Sequence, residues 1–247
     1  MSNLPREGTA SCPNCKQAYP LRDGILDFLD QSGGKELITP FQRLMQFPPV
    51  IAIYERYWRP FGFFVASSHS FQKFSRNLIQ LVNPSQRSRI LDLACGPGLL
   101  CCPLAAEGSG WVVGLDLSWP MLRQARRKAD ALGLENLLLV RGNAFCLPFR
   151  DRCFDATLCS GALHLFDQPE AALAEIARTI AGDGRFICQT TIKPGHSAAL
   201  VAFLKKVIRF GFFDGPEILN EKVRLAGMKV EQAWSWRIIH LFLARRL

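Results

Sequence analysis

The chain has 247 residues, 49% of them hydrophobic and 21% charged, which describes a globular α/β-sized core and excludes low-complexity or fibrous classes. Its net charge of +9 fits either an anionic partner, such as nucleic acid or a lipid surface, or a solvated basic exterior. Residues 1–10 lack the apolar core of a signal peptide, and the apolar window 47–66 carries Glu55, Arg56 and Arg59, so no membrane span is expected.

In chain order, Cys12-Pro13-Asn14-Cys15 has the spacing of half a zinc knuckle. No second C-x-x-C or C-x-x-H lies nearby, so Cys12 and Cys15 are at most half of a zinc site and no complete metal site is assigned. The nine cysteines sit mostly in apolar runs (Cys101, Cys102, Cys159, Cys188), which suits reduced, buried thiols in a cytosol-like compartment. Gln31-Ser32-Gly33-Gly34 reads as a linker, which closes a small N-terminal segment over residues 1–35. Residues 36–85 are aromatic and basic, with helical runs broken at Pro48-Pro49 and Pro60-Phe61-Gly62. They are expected to form a helical cap. Tyr54, Tyr57 and Trp58 are then candidate substrate-pocket residues, or aromatic packing between the cap helices.

Residues 86–247 carry the main pattern. Ile90, Leu91 and Leu93 form an apolar run suited to a buried strand, interrupted by Asp92, a carboxylate that is costly to bury without a partner. Gly96 and Gly98 allow a tight turn and a close ligand approach, and a helix is expected over residues 99–107. A nicotinamide fingerprint would need a third glycine, but Cys101 stands at that position and Pro97 fills the gap between the first two. A second strand, residues 111–116, ends in Asp116. The following helix begins at Ser118-Trp119-Pro120 and carries Arg123, Arg126, Arg127 and Lys128, a basic stripe for RNA or for solvent. A third apolar run, residues 137–140, leads into Asn143-Ala144-Phe145. A fourth, residues 154–160, ends at Ser160 and is followed by His164 at a strand end. A helix over 169–180, a turn at 182–184 and a strand over 185–190 come next. Residues 198–213 form a basic amphipathic stretch suited to a membrane surface or to packing on the domain. A last helix and two strands, 230–235 and 237–244, complete the pattern.

From residue 89 to 190, these segments resemble in order and spacing the motifs of class I S-adenosylmethionine-dependent methyltransferases. The aromatic 41–60 region and the ribbon-like start resemble the ubiquinone/menaquinone-type enzymes of cyanobacteria and chloroplasts. The resemblance implies an α/β Rossmann-like sheet of seven strands, mostly parallel with an antiparallel last strand, and helices on both faces. It implies S-adenosyl-L-methionine as cofactor and S-adenosyl-L-homocysteine as product. Asp92, Ala94, Cys95, Gly96 and Gly98 would hold the methionine end. Asp116, with Leu117 and Met121, would hold the ribose; Asn143, Ala144 and Phe145 would read the adenine; Ser160 would line the cleft. Asn143 departs from the family's acid, but its amide oxygen still accepts from an exocyclic amine.

The implied activity is methyl transfer to a small, hydrophobic acceptor such as a quinone or phenol. The alternatives are an RNA methyltransferase and a non-catalytic cofactor-binding scaffold. His164 is a candidate general base, a packing residue or a contact to the methionine portion. The expected location is cytoplasmic, with peripheral membrane contact through the basic amphipathic stretch. The acceptor atom and the oligomeric state are not specified.

Overall fold

The computed structural model describes residues 6–29, 63, 70–108, 110–193 and 211–247. Tyr54, Tyr57, Trp58 and most of the 198–213 stretch lie outside the described residues. The N-terminal segment contributes β1 (Gly8–Ser11), β2 (Ala18–Arg22) and β3 (Ile25–Asp27). The remainder runs α1 (Phe71–Val82), β4 (Arg89–Leu93), α2 (Cys101–Ala106), β5 (Trp111–Asp116), α3 (Trp119–Ala131) and β6 (Leu137–Arg141). It continues through β7 (Phe154–Ser160), α4 (Pro169–Thr179), β8 (Ile180–Thr191), α5 (Pro216–Leu225), β9 (Met228–Trp236) and β10 (Ile239–Arg246).

All the strands among the described residues belong to one sheet, in the order β1-β2-β3-β6-β5-β4-β7-β8-β10-β9. The seven expected strands are its contiguous part, from β6 to β9. β4 to β8 run parallel, and β10 is antiparallel to both of its neighbours. The N-terminal ribbon is continuous with this sheet: β3 adds to the edge of β6 in parallel register, Ile25 beside Leu139 and Asp27 beside Arg141. It covers an edge that would otherwise present unpaired backbone groups.

Parallel strands buried on both faces read as continuous apolar runs, and alternate residues divide between two cores. Ile90, Leu139, Leu158, Ile187 and Leu241 meet α1, α2 and α3 on one face. Leu91, Val140, Cys159, Cys188 and Phe242 meet α4 and α5 on the other. α1 buries Phe74, Leu78, Ile79 and Val82, one stripe of a helix, and ends on Asn83 in the left-handed conformation just before Pro84.

Several boundaries differ from expectation: β9 and β10 each begin two residues from the expected 230 and 237, and α2 and β8 are displaced as well. α2 starts at Cys101 rather than at 99: Leu99 and Leu100 still belong to the turn that leaves Gly98, which sits at φ +81°. β8 starts at Ile180, and the 182–184 turn is a register shift inside that strand. Among the described residues, no helix is long and apolar enough to cross a membrane.

Candidate functional site

From β4 the chain proceeds outward through β5 to β6, then returns to place β7 on the other side of β4. Such a reversal opens a crevice at the carboxyl ends of the strands. The candidate residues on β4, β5, β6 and β7 and the loops after them all lie at this end.

Asp92 is 2% exposed near the end of β4. The next turn is tied to β5 by Cys95 N–H donating to the Leu115 carbonyl at 3.0 Å. Ala94 adopts φ +56° and Gly96 φ +53°, and a Cβ built on Gly96 would meet nothing within 4 Å. Gly98 serves a different purpose. A Cβ there would lie 2.9 Å from Cys102 Sγ and 3.0 Å from Ala125 Cβ, so this glycine lets the turn pack on α2 and α3.

Asp116 closes the turn from the β5 side. Its Oδ2 accepts from Gly96 N–H and its Oδ1 from Ser118 N–H, both at 2.8 Å. Burial pushes its carboxyl up, while the amides of Ser118, Gly96 and Leu117 pull the other way. With three amides drawing on its four lone-pair sites, the carboxylate retains acceptor capacity for a further donor. Leu117 is exposed, and Met121 is half-buried in the first turn of α3.

The carbonyl of Asp116 accepts from Gly142 N–H at 3.1 Å, which brings the loop after β6 alongside. There the Asn143 side chain acts locally: its Oδ1 accepts from Phe145 N–H at 2.9 Å. Ala144 and Phe145 are half-buried, and Phe145 stands edge-on to Phe166, with ring centroids 5.6 Å apart. Ser160, at the end of β7, donates to Gln189 Oε1 at 3.1 Å.

Cys95 and Cys101 are hydrogen-bonded beneath the turn. That bond lowers the Cys95 pKa, but burial and the carboxylates of Asp116 and Asp92 outweigh it and push the thiol up to about 11. Cys95 is therefore a neutral packing group at physiological pH.

His164 sits on a single 3₁₀ turn, Leu163–Leu165, with Nδ1 3.2 Å from Thr190 Oγ1. Burial pushes its pKa down to about 3. The ring lines a cavity of about 230 Å³ together with Phe166, Gly211, Phe212 and Phe213. Gly211 packs so closely on the His164 carbonyl that any side chain there would overlap it.

Cys12 and Cys15 are in the connection between β1 and β2, away from this crevice in the chain. Among the described residues they are not joined by a third potential metal ligand. Sequence reasoning missed Gln189 and Thr190, the supports of Ser160 and His164, because their roles depend on β8 pairing with β7. It also missed Asp27 and Arg141. The only signal was a second Ile-Leu-Asp run, matching the one in β4.

Residues 90–184 match the sequence model of the methyltransferase domain family. An uncharacterised chloroplastic methyltransferase of Arabidopsis thaliana is 30% identical over 207 residues, covering 79% of this chain and 57% of the relative. A demethylmenaquinone methyltransferase of Symbiobacterium thermophilum is 34% identical over 152 residues, 60% of this chain and 57% of the relative. That of Thermus thermophilus is 40% identical over 116 residues, 47% of this chain and 52% of the relative. The chain thus spans a little over half the length of the curated relatives it matches.

Among solved structures, geranyl diphosphate methyltransferase in complex with SAM aligns with a TM-score of 0.63 at 16% identity, over 71% of this chain and 85% of the other. The [4+2]-cyclase SpnF aligns equally well, with a TM-score of 0.63 at 17% identity over 70% and 80%. These likenesses establish the fold. With the motif order, the strand order and the family match over residues 90–184 in agreement, the chain carries a methyltransferase domain of the class I S-adenosylmethionine-dependent family.

Proposed function

We propose that the protein transfers a methyl group from S-adenosylmethionine to a small hydrophobic acceptor of the quinone or phenol class. The observation that carries the cofactor part is the joint between Gly96 and Asp116. An open, Cβ-free backbone position is hydrogen-bonded directly to the strand-end carboxylate, so the two halves of the cradle are set against each other before any ligand arrives. The residues fit the cofactor: space above Gly96 for the methionine end, remaining acceptor capacity on Asp116 for the ribose, and an adenine-side loop held by Asn143 and Gly142.

Bound S-adenosylmethionine supplies an electrophilic methyl on a sulfonium; the acceptor's electron pair takes it and the breaking bond's electrons return to sulfur. The protein's task is to align the acceptor with that methyl and to exclude water. Phe166, Phe212 and Phe213 supply an apolar wall on the cavity beside this cleft, of a size suited to an aromatic head group. His164, neutral at physiological pH, orients the acceptor there and is too weak a base to take its proton. The relatives named as demethylmenaquinone methyltransferases support a quinone-type acceptor. Those named chloroplastic add a plastid to the cytoplasm as a setting for this activity.

The second reading is a fold that has left methyl transfer behind, which the alignment with a protein named as a cyclase favours. Calorimetric titration of S-adenosylhomocysteine into wild type and Asp116→Ala, followed by methyl transfer from labelled cofactor to a panel of quinols and phenols, separates them. Binding lost in the variant, with turnover of a panel member, is expected. Binding without any methylated product would favour the second reading, and no binding would remove the cofactor assignment.

A further inference from the structure

We propose that Asp27, on the N-terminal ribbon, is a positioning residue for the cofactor site and acts through Arg141. The proposal rests on the cofactor reading above and assigns part of that site's geometry to a segment outside the methyltransferase domain.

The Asp27 side chain is fully buried and the Arg141 side chain is 15% exposed. Arg141 Nη1 lies 3.2 Å from Asp27 Oδ2 and 3.5 Å from Oδ1. The same Oδ1 accepts from Leu29 N–H at 2.9 Å, so the carboxylate is itself held by the chain leaving β3. From this anchored position, Arg141 Nε donates to the Leu117 carbonyl at 3.2 Å. The guanidinium also lies 5.7 Å from the centre of the Trp119 ring. Leu117 is bonded to Asp116, the ribose-side carboxylate, and Arg141 is followed directly by Gly142 and Asn143. The Arg141 carbonyl accepts from Phe28 N–H at 3.0 Å, which ties the ribbon to the same point through the backbone.

One arginine therefore connects three pieces of chain: the end of the ribbon, the turn after β5 and the loop after β6. A guanidinium reaches all of them only while its fork is fixed. Without the Asp27 carboxylate, the largely buried guanidinium loses its buried anionic anchor and must move or hydrate. Either response releases the Leu117 carbonyl and loosens the two loops that frame the nucleoside end. Asp27 would thus tune affinity without touching the ligand, as an outer partner orients a direct one.

The test compares S-adenosylhomocysteine binding by calorimetry, and unliganded Tm, in wild type, Asp27→Asn, Arg141→Lys and the double variant of the full chain. We expect Asp27→Asn to weaken binding about tenfold, the range of a lost charge-assisted hydrogen bond. In turnover, KM for S-adenosylmethionine should rise while KM for the acceptor holds. Arg141→Lys keeps the charge but loses the fork, and should show the same loss, with little further change in the double variant. Wild-type affinity in Asp27→Asn, with only a lowered Tm, would overturn the proposal and leave the pair as a structural tie. Fully additive losses would also overturn it. If Asp27→Asn does not fold, Arg141→Lys decides alone: unchanged affinity refutes, and a tenfold loss supports. Absence of binding by the wild type is a distinct outcome, which removes the cofactor reading and this proposal with it.

Discussion

Burial reaches His164 before chemistry does. Its ring is held by Thr190 and its pKa falls from 6.5 to about 3 because the cavity wall disfavours the imidazolium. Below about pH 6.5 the unfolded chain takes up a proton that the folded chain refuses until about pH 3. The unfolded state therefore binds more protons across that window, so stability is lost as pH falls through it and is independent of this group above it. Replacement by Asn should flatten the pH dependence of urea unfolding between those values. A residual slope of the same sign remains from His240, whose pKa burial also lowers. For turnover, the corresponding expectation is a rate without an inflection from this residue near neutrality. At this scale the sequence identified the residue and its place at a strand end. It could not give the protonation state, which depends on Phe213 and Gly211, far along the chain.

At the scale of elements, loops are held by side chains of the helices that follow them. Arg178, at the end of α4, binds Glu175 on its own helix and Asp151 in the loop between β6 and β7. It also donates to the carbonyls of Phe149 and Leu147. Glu175 returns the contact by accepting from Leu147 N–H at 2.6 Å. The pair lowers the Glu175 pKa and raises that of Arg178 through their hydrogen bonds. Because one guanidinium serves two carbonyls and two carboxylates at once, Arg178→Met should cost about 2 kcal/mol. Denaturant melts should show that loss as a lower midpoint with an unchanged slope. The motifs from β4 to β8 were legible in sequence because strand, acid, turn and helix are contiguous. The start of α2 was not, since the turn that leaves Gly98 packs against Ala125 in α3, a contact between segments distant in the chain.

For the molecule as a whole, the net charge is +9, but the basic stripe on α3 is locally offset by acids. On α3, Arg123 pairs with Asp23 of the ribbon at 3.0 Å, and Arg126 with Asp130 at 2.8 Å. Arg6 adds a second partner to Asp130 at 3.2 Å. The stripe that suggested RNA is in part the docking face of the ribbon. Titration with RNA at a series of salt concentrations should therefore give weak binding, and not the steep log–log slope of a protein that neutralises several phosphates. The sequence by itself determined the class of domain and the succession of its strands along the chain, because each motif is local and its chemistry is carried by neighbours in the chain. Only the tertiary structure decided that the ribbon joins the sheet, that His164 is neutral, and that Asp27 meets Arg141. Those contacts join residues far apart in sequence, and burial and register, rather than local pattern, set their energies.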